Sequence, residues 1–208
     1  MSRSRQEGFT LIELLMGIVL SSIFALALFG FFFSGVSSAR TSESQARAQS
    51  DGRTAIDRLV RDARQAISPD DGLTAPIIAL SPTLLEMYVD PSRADSDKVP
   101  RPQRVRYQIV ANQLIRQSAN PIGPVWPFSY GGYGTAAEIL IEQLSNGAIA
   151  AFAGTTGEGA ALPATPSPTQ MRDIAQISIR LLVSQKTGNA ATTLELKTDV
   201  ALRNAIRL

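Results

Sequence analysis

Cysteine and histidine are both missing from this chain of 208 residues. Without them there is no disulfide framework, no thiolate or imidazole zinc site, no thiol nucleophile and no Ser-His-Asp triad. Their absence does not fix a redox compartment, because a domain of moderate size can be held by its core alone. Net charge is nearly missing too. Twenty basic against eighteen acidic side chains leave +2, too balanced to mark a nucleic-acid footprint by itself. Proline does not occur before Pro69, so nothing in the first third of the chain forbids one long helix.

The most conspicuous feature present is the run from Phe9 to Val36, "FTLIELLMGIVLSSIFALALFGFFFSGV", in which Glu13 is the only charge. It exceeds the roughly 20 residues that cross a hydrocarbon core as a helix. Arg3 and Arg5 against Glu7 precede it, and this positive bias predicts a cytoplasmic N-terminus with the remainder exported. A cleaved secretory signal fits poorly, since its apolar region runs about 7–15 residues and ends in small residues. Here the run is longer, and the small residue, Gly8, comes before it. Glu13 itself carries an insertion cost of about 2.5–3.5 kcal/mol unless something satisfies it.

Beyond Ser37 the composition turns polar while helical periodicity continues. Ile56, Leu59, Val60, Ala63 and Ile67 recur on one face. Gly52 is the expected weak point, at about 1 kcal/mol relative to alanine. "ISPDDG" predicts the stop, with Pro69 excluding the helical region for the residue before it. One helix is therefore expected, apolar all round in its first half and amphipathic in its second.

The stretch "GFTLIELL" (8–15) resembles the processing motif of type IV prepilins and type II secretion pseudopilins. The resemblance implies a leader, residues 1–8, removed by prepilin peptidase between Gly8 and Phe9, with Phe9 then N-methylated. It implies that Glu13, fifth in the mature chain, acts in assembly by neutralising the new α-amino group of a neighbouring subunit. A glycine at the cut presents backbone without a side chain, and a buried ion pair suits the fixing of register between helices. The family further implies other pilins and an inner-membrane assembly platform as partners. It also implies a single-pass location in the inner membrane before entry into a filament, with no cofactor and no catalytic residues.

Residues 9–36 are then the membrane and polymerisation segment, 37–67 the exported half of the helix, and 68–208 a β-rich domain. In that domain "TLLEMYVD" (83–90) alternates, with Leu85, Met87 and Val89 on one face. "RVRYQIVANQLIRQS" (104–118) reads as a hairpin turning near "AN". "EILIEQLSNGAIAAFAG" (138–154) is either a helix then a strand, or two strands turning at Asn146-Gly147. Residues 155–170 read as a flexible insertion. A last hairpin places Ile177, Ile179, Leu181 and Val183 on one face, and Leu194, Leu196, Thr198 and Val200 on one face of its partner. The predicted class is α+β, a long helix packed on an antiparallel sheet. The order of elements resembles the J-type minor pseudopilins and related minor pilins. Glu13 and the mature length argue against the larger K-type tip subunits, which typically lack that glutamate.

Other constellations carry less. Asp90, Asp95 and Asp97 share a loop, but Arg93 and Lys98 interrupt it and a calcium site needs six to eight oxygens, so no metal is expected. "GTTGEGA" lacks the lysine and hydroxyl of a phosphate loop. Arg101, Arg104 and Arg106 beside Tyr107 offer a nucleic-acid contact of the kind a DNA-uptake minor pilin would use, although a solvated basic strand edge accounts for them more simply. Trp126, Phe128, Tyr130 and Tyr133 suit either a partner surface or a cap on the domain's own core. A membrane-anchored exported enzyme would need a convergent catalytic constellation, and none is visible.

Overall fold

In a computed structural model the described residues are 10–70, 73–90, 101–123, 127–134, 137–187 and 190–202. Helix α1 (Leu11–Arg64) opens the fold. It is followed by β1 (Ile77–Ser81), β2 (Leu84–Val89), β3 (Gln103–Val110), β4 (Gln113–Ala119), β5 (Pro121–Ile122), β6 (Ser129–Tyr130), β7 (Glu138–Ile141) and β8 (Phe152–Thr156). A short helix α2 (Pro168–Arg172) and the long hairpin β9 (Ile174–Thr187) and β10 (Ala190–Ala201) complete it. All strand pairs are antiparallel, in a five-stranded sheet of order β1-β2-β3-β4-β7, a three-stranded sheet β10-β9-β8 and the β5-β6 pair. The fold is α+β.

Two compact units divide the chain, Met1–Ser44 and Gln45–Leu208. In the first, Leu11 to Phe33 present their large apolar side chains on the surface, and no described residue is buried. In the second, α1 turns Gly52, Ala55, Leu59, Asp62 and Ala63 inward. Ala55, Leu59 and Ala63 join one core with Leu85, Met87, Val105, Tyr107, Ile177, Ile179 and Leu181. The buried stripe is thus rotated from the predicted one: Ile56 and Val60 lie at its margin, and the small residues Gly52 and Ala55 form its centre. Small side chains let the helix axis approach the strands. A Cβ added to Gly52 would overlap Leu196 Cδ1 and touch Val183 Cγ2 at 3.7 Å. Gly52 is therefore a packing seat as well as a weak helix former.

The helix ends at Arg64, before the proline signal. Ala66 bridges to Val89 and the Ile67 N–H donates to Tyr88 O at 3.0 Å, so strand pairing takes over before Pro69 acts. Hairpin β3–β4 turns through Ala111 and Asn112, both at positive φ (49° and 63°), the signature of a type I′ turn. Strands β7 and β8 both form but do not pair with each other: β7 joins β4 and β8 joins β9. Between them the buried Asn146 brackets β9, accepting from Leu182 N–H at 2.9 Å and donating to Arg180 O at 2.8 Å. The segment expected to be a flexible insertion contains the end of β8 and α2, which Ser167 and Gln170 close with a capping box.

Candidate functional site

Gly8 and Phe9 lie outside the described residues; Thr10 and Glu13 mark where α1 begins. The Thr10 N–H and hydroxyl each donate to Glu13 Oε2 at 3.4 Å, and the Glu13 N–H donates to Thr10 Oγ1 at 3.4 Å. This is a loose capping box, and it follows from T-x-x-E at a helix start. The carboxylate is also favourably placed near the positive end of the helix dipole. Along the same face the small residues Gly17, Ser21, Ser22 and Ala25, together with Leu14 and Ile18, line a shallow groove that begins at Glu13. Small residues of this kind let a second helix approach closely in a membrane. An 18-residue window of α1 reaches a mean hydropathy of 2.4, so length and composition suffice for crossing a bilayer.

The predicted basic group has a different setting from an open strand edge. β3 is an interior strand, between β2 and β4. Arg104 and Arg106 both turn to Glu86 on β2, which is 3% exposed. Arg104 donates to Glu86 Oε1, with Nε at 3.1 Å, and Arg106 Nε and Nη2 donate to Oε2 at 3.2 and 3.0 Å. Tyr133 covers both guanidiniums, with Arg106 at 4.2 Å and Arg104 at 5.5 Å from its ring centre, and Tyr130 covers Arg104 at 5.5 Å. Tyr130 also donates to Pro102 O at 2.8 Å. Arg101 stands apart, donating to Gly123 O at 3.0 Å.

Electrostatics follow from that packing. Burial works to raise the Glu86 pKa, but the Tyr133 hydroxyl beside it and the Arg104 and Arg106 guanidiniums together outweigh burial and hold the carboxyl below its ordinary 4.5. Burial pushes the Tyr130 hydroxyl up to about 12. The Tyr133 hydroxyl is raised by burial and by the Glu86 charge beside it, yet makes no hydrogen bond of good geometry. Of the four aromatic candidates, Phe128 is buried, Tyr130 and Tyr133 form this cap, and Trp126 lies outside the described residues. Asp90 is buried, whereas Asp95 and Asp97 also fall outside the described residues. Among the described residues no three acidic side chains converge as a metal site would require.

A second buried charge group gave no signal in the sequence. Asp62 on α1 is 5% exposed, accepting from Tyr107 Oη at 2.7 Å and Arg116 Nε at 2.9 Å. Arg116 also reaches Glu138 at 3.8 Å, and Arg58 reaches the same carboxylate at 3.6 Å. Tyr107, Arg116 and Glu138 lie in one cross-strand row of β3, β4 and β7, so this row clamps the second half of α1 to the sheet. Burial first, and then the neighbouring Asp62 charge, raise the Tyr107 pKa.

Residues 3–29 match the family described as the prokaryotic N-terminal methylation motif. No curated protein matches the chain. The matched segment spans the Gly8-Phe9 junction, Glu13 and the apolar start of α1. The motif and the helix behind it are similar to those of type IV pilin-like proteins: a methylation motif over residues 3–29 of the 208, at the head of a helix long and apolar enough to cross a membrane.

Proposed function

We propose that this chain is a minor pilin or pseudopilin, a structural subunit that enters a type IV pilus or a type II secretion pseudopilus. The observation that carries the reading is a contiguous motif followed by a helix whose apolar surface has no cover within its own unit. Prepilin peptidase removes residues 1–8, Phe9 is methylated, and residues 9–36 hold the protein in the inner membrane with the C-terminal domain exported. On assembly that helix moves from lipid to neighbouring helices, and Glu13 exchanges its loose local partner, Thr10, for the α-amino group of an adjoining subunit. Residues 37–67 and 68–208 serve as the exported stem and specificity domain. Element order and a retained Glu13 support a J-type minor subunit, and a subunit of this kind works by assembly and not by catalysis.

The test is mass spectrometry of the protein produced together with prepilin peptidase. A chain beginning at methylated Phe9 is expected, and an intact Met1 on all molecules sinks the proposal. Glu13→Ala is expected to leave membrane insertion unchanged and to lower recovery in sheared filaments about tenfold or more, since a charge awaiting its partner in lipid is lost. A second reading, a DNA-uptake minor pilin using Arg101, Arg104 and Arg106, ranks below the first. Two of these cations share Glu86, which leaves little charge for a phosphate chain.

A further inference from the structure

Asn146 is the only asparagine in the chain that precedes a glycine. It lies in the link between β7 of the five-stranded sheet and β8 of the three-stranded one. That link is tied to both sheets. The Leu144 N–H donates to Asn112 O in the β3–β4 turn at 2.7 Å, and the Ser145 N–H donates to Leu182 O on β9 at 2.7 Å. The chain then reverses: the Ile149 N–H donates to Asn146 O at 2.8 Å, and Gly147 takes a φ of +53°. Glycine is needed at this first central position of the turn because most side chains disfavour positive φ.

The two halves of the dipeptide have opposite surroundings. Asn146 is 6% exposed. Its Oδ1 accepts from the Leu182 N–H at 2.9 Å, and its Nδ2 donates to Arg180 O at 2.8 Å and to Ile149 O at 3.4 Å. Both ends of the carboxamide are therefore fastened to the backbone of β9, the central strand of its sheet. Gly147 is exposed, and its N–H makes no hydrogen bond among the described residues. A free nucleophile thus stands beside a restrained electrophile.

A backbone nitrogen that follows asparagine can attack the side-chain Cγ and close a five-membered ring, and glycine obstructs that attack least because it has no Cβ. The Gly147 nitrogen gives its proton to solvent base as the new N–Cγ bond forms. Nδ2 takes a proton from water and leaves as ammonia. Water then opens the succinimide at one of two carbonyls. Cleavage at Cγ gives aspartate, whereas cleavage at the main-chain carbon gives isoaspartate, with one more carbon in the backbone.

We propose that Asn146-Gly147 is a self-modification site gated by its own clamp to β9. While the link is closed, turning Cγ toward the Gly147 nitrogen costs the hydrogen bonds to Leu182 and Arg180, and the amide persists. When the link opens, ring closure competes with reclosing. The product cannot restore the clamp: aspartate still accepts from Leu182 N–H, but it loses the donor to Arg180 O and sets a charge against that carbonyl. Isoaspartate lengthens the turn as well. Each conversion is a permanent record that a chain has opened between its two sheets. The reaction needs only water, so it is independent of the filament reading.

Peptide mapping of the full-length chain in detergent tests this, with aspartate and isoaspartate at position 146 as the readout. Conversion in the folded wild type should be about tenfold or more slower than in the urea-unfolded chain, because it waits on local opening. Leu144→Ala removes a buried side chain that docks the link at Val183, and should speed conversion of the folded chain several-fold. Should that variant fail to fold, wild type in urea below its unfolding midpoint serves instead, and conversion there should rise ahead of global unfolding. Asn146→Asp, the product with a normal backbone, should melt below the wild type. Equal rates in folded and unfolded chains overturn the gating, as does a folded Leu144→Ala chain, or a sub-midpoint urea series, with an unchanged rate. An unfolded chain that yields no isoaspartate overturns the site itself, since only ring opening makes that product. Wild-type melting of Asn146→Asp overturns the clamp.

Discussion

Two carboxylates decide much at the residue scale. Asp62 is held by Tyr107 and Arg116 beneath the helix, where water cannot replace a missing partner. Asp62→Ala is expected to destabilise by about 3 kcal/mol, the low end for breaking a buried pair, because Arg116 keeps only the half-exposed Glu138 at 3.8 Å; urea unfolding reads it. Tyr107→Phe, which leaves the ion pair intact, should cost about 1–2 kcal/mol. If the two cost the same, the charge is not what matters at that site. Glu86 makes a different prediction, because its folded pKa lies below its unfolded value. Its stabilisation is complete above the unfolded value, near 4.5, and is lost as pH falls through the lower folded value. The melting temperature should therefore drop as pH is lowered from about 5 to about 3, and Glu86→Gln should flatten that slope. An unchanged slope in Glu86→Gln would remove Glu86 from the account.

Between elements, the contact that matters most is α1 against the β9–β10 hairpin, and Gly52 is its seat. Alanine there gains about 1 kcal/mol of helix propensity, but its Cβ overlaps Leu196 Cδ1 and overpacking costs about 1–3 kcal/mol. Gly52→Ala should be destabilising in the wild type and stabilising by about 1 kcal/mol in a Leu196→Ala background. A double-mutant cycle by chemical unfolding measures this, and strict additivity would show that the two residues do not meet. The same contact illustrates what the sequence could and could not disclose. Alternation made β2, the β3–β4 hairpin and β9 legible, because Leu85, Met87, Ile177 and Ile179 are buried by local geometry alone. Gly52 looked like a defect because its partner, Leu196, is far along the chain. Asp62 gave no local signal for the same reason: Tyr107 and Arg116 lie 45 and 54 residues away in sequence. Arg104 and Arg106 were visible as a basic group, but Glu86, which engages them, belongs to another strand whose register no local pattern specifies. At the helix start the motif was contiguous, so nothing non-local was needed to find it.

For the whole molecule the division at Ser44 sets the physical behaviour. Every large apolar side chain from Leu11 to Phe33 that lies on α1 is exposed, Phe31 to 82%. An apolar surface of that extent exceeds what soluble monomers carry, so the intact chain needs lipid, detergent or neighbouring helices. The buried core, by contrast, draws only on residues beyond Gln45. It brings together two sheets and one helix face, and needs no disulfide, since there is no cysteine to form one. A chain beginning at Gln45 should therefore be soluble without detergent and unfold in a single cooperative transition, with coincident loss of far-UV and near-UV circular dichroism. Residues ahead of Gly52 should fray, because they contribute little to the core, and hydrogen exchange should find their amides the least protected of the helix. A fragment that precipitates, or that keeps secondary structure while losing near-UV signal, would mean that the first unit contributes to folding as well as to anchoring. A fragment that behaves as expected separates the two tasks: the domain folds by its own core, and the helix ahead of it is left free to exchange lipid for other helices.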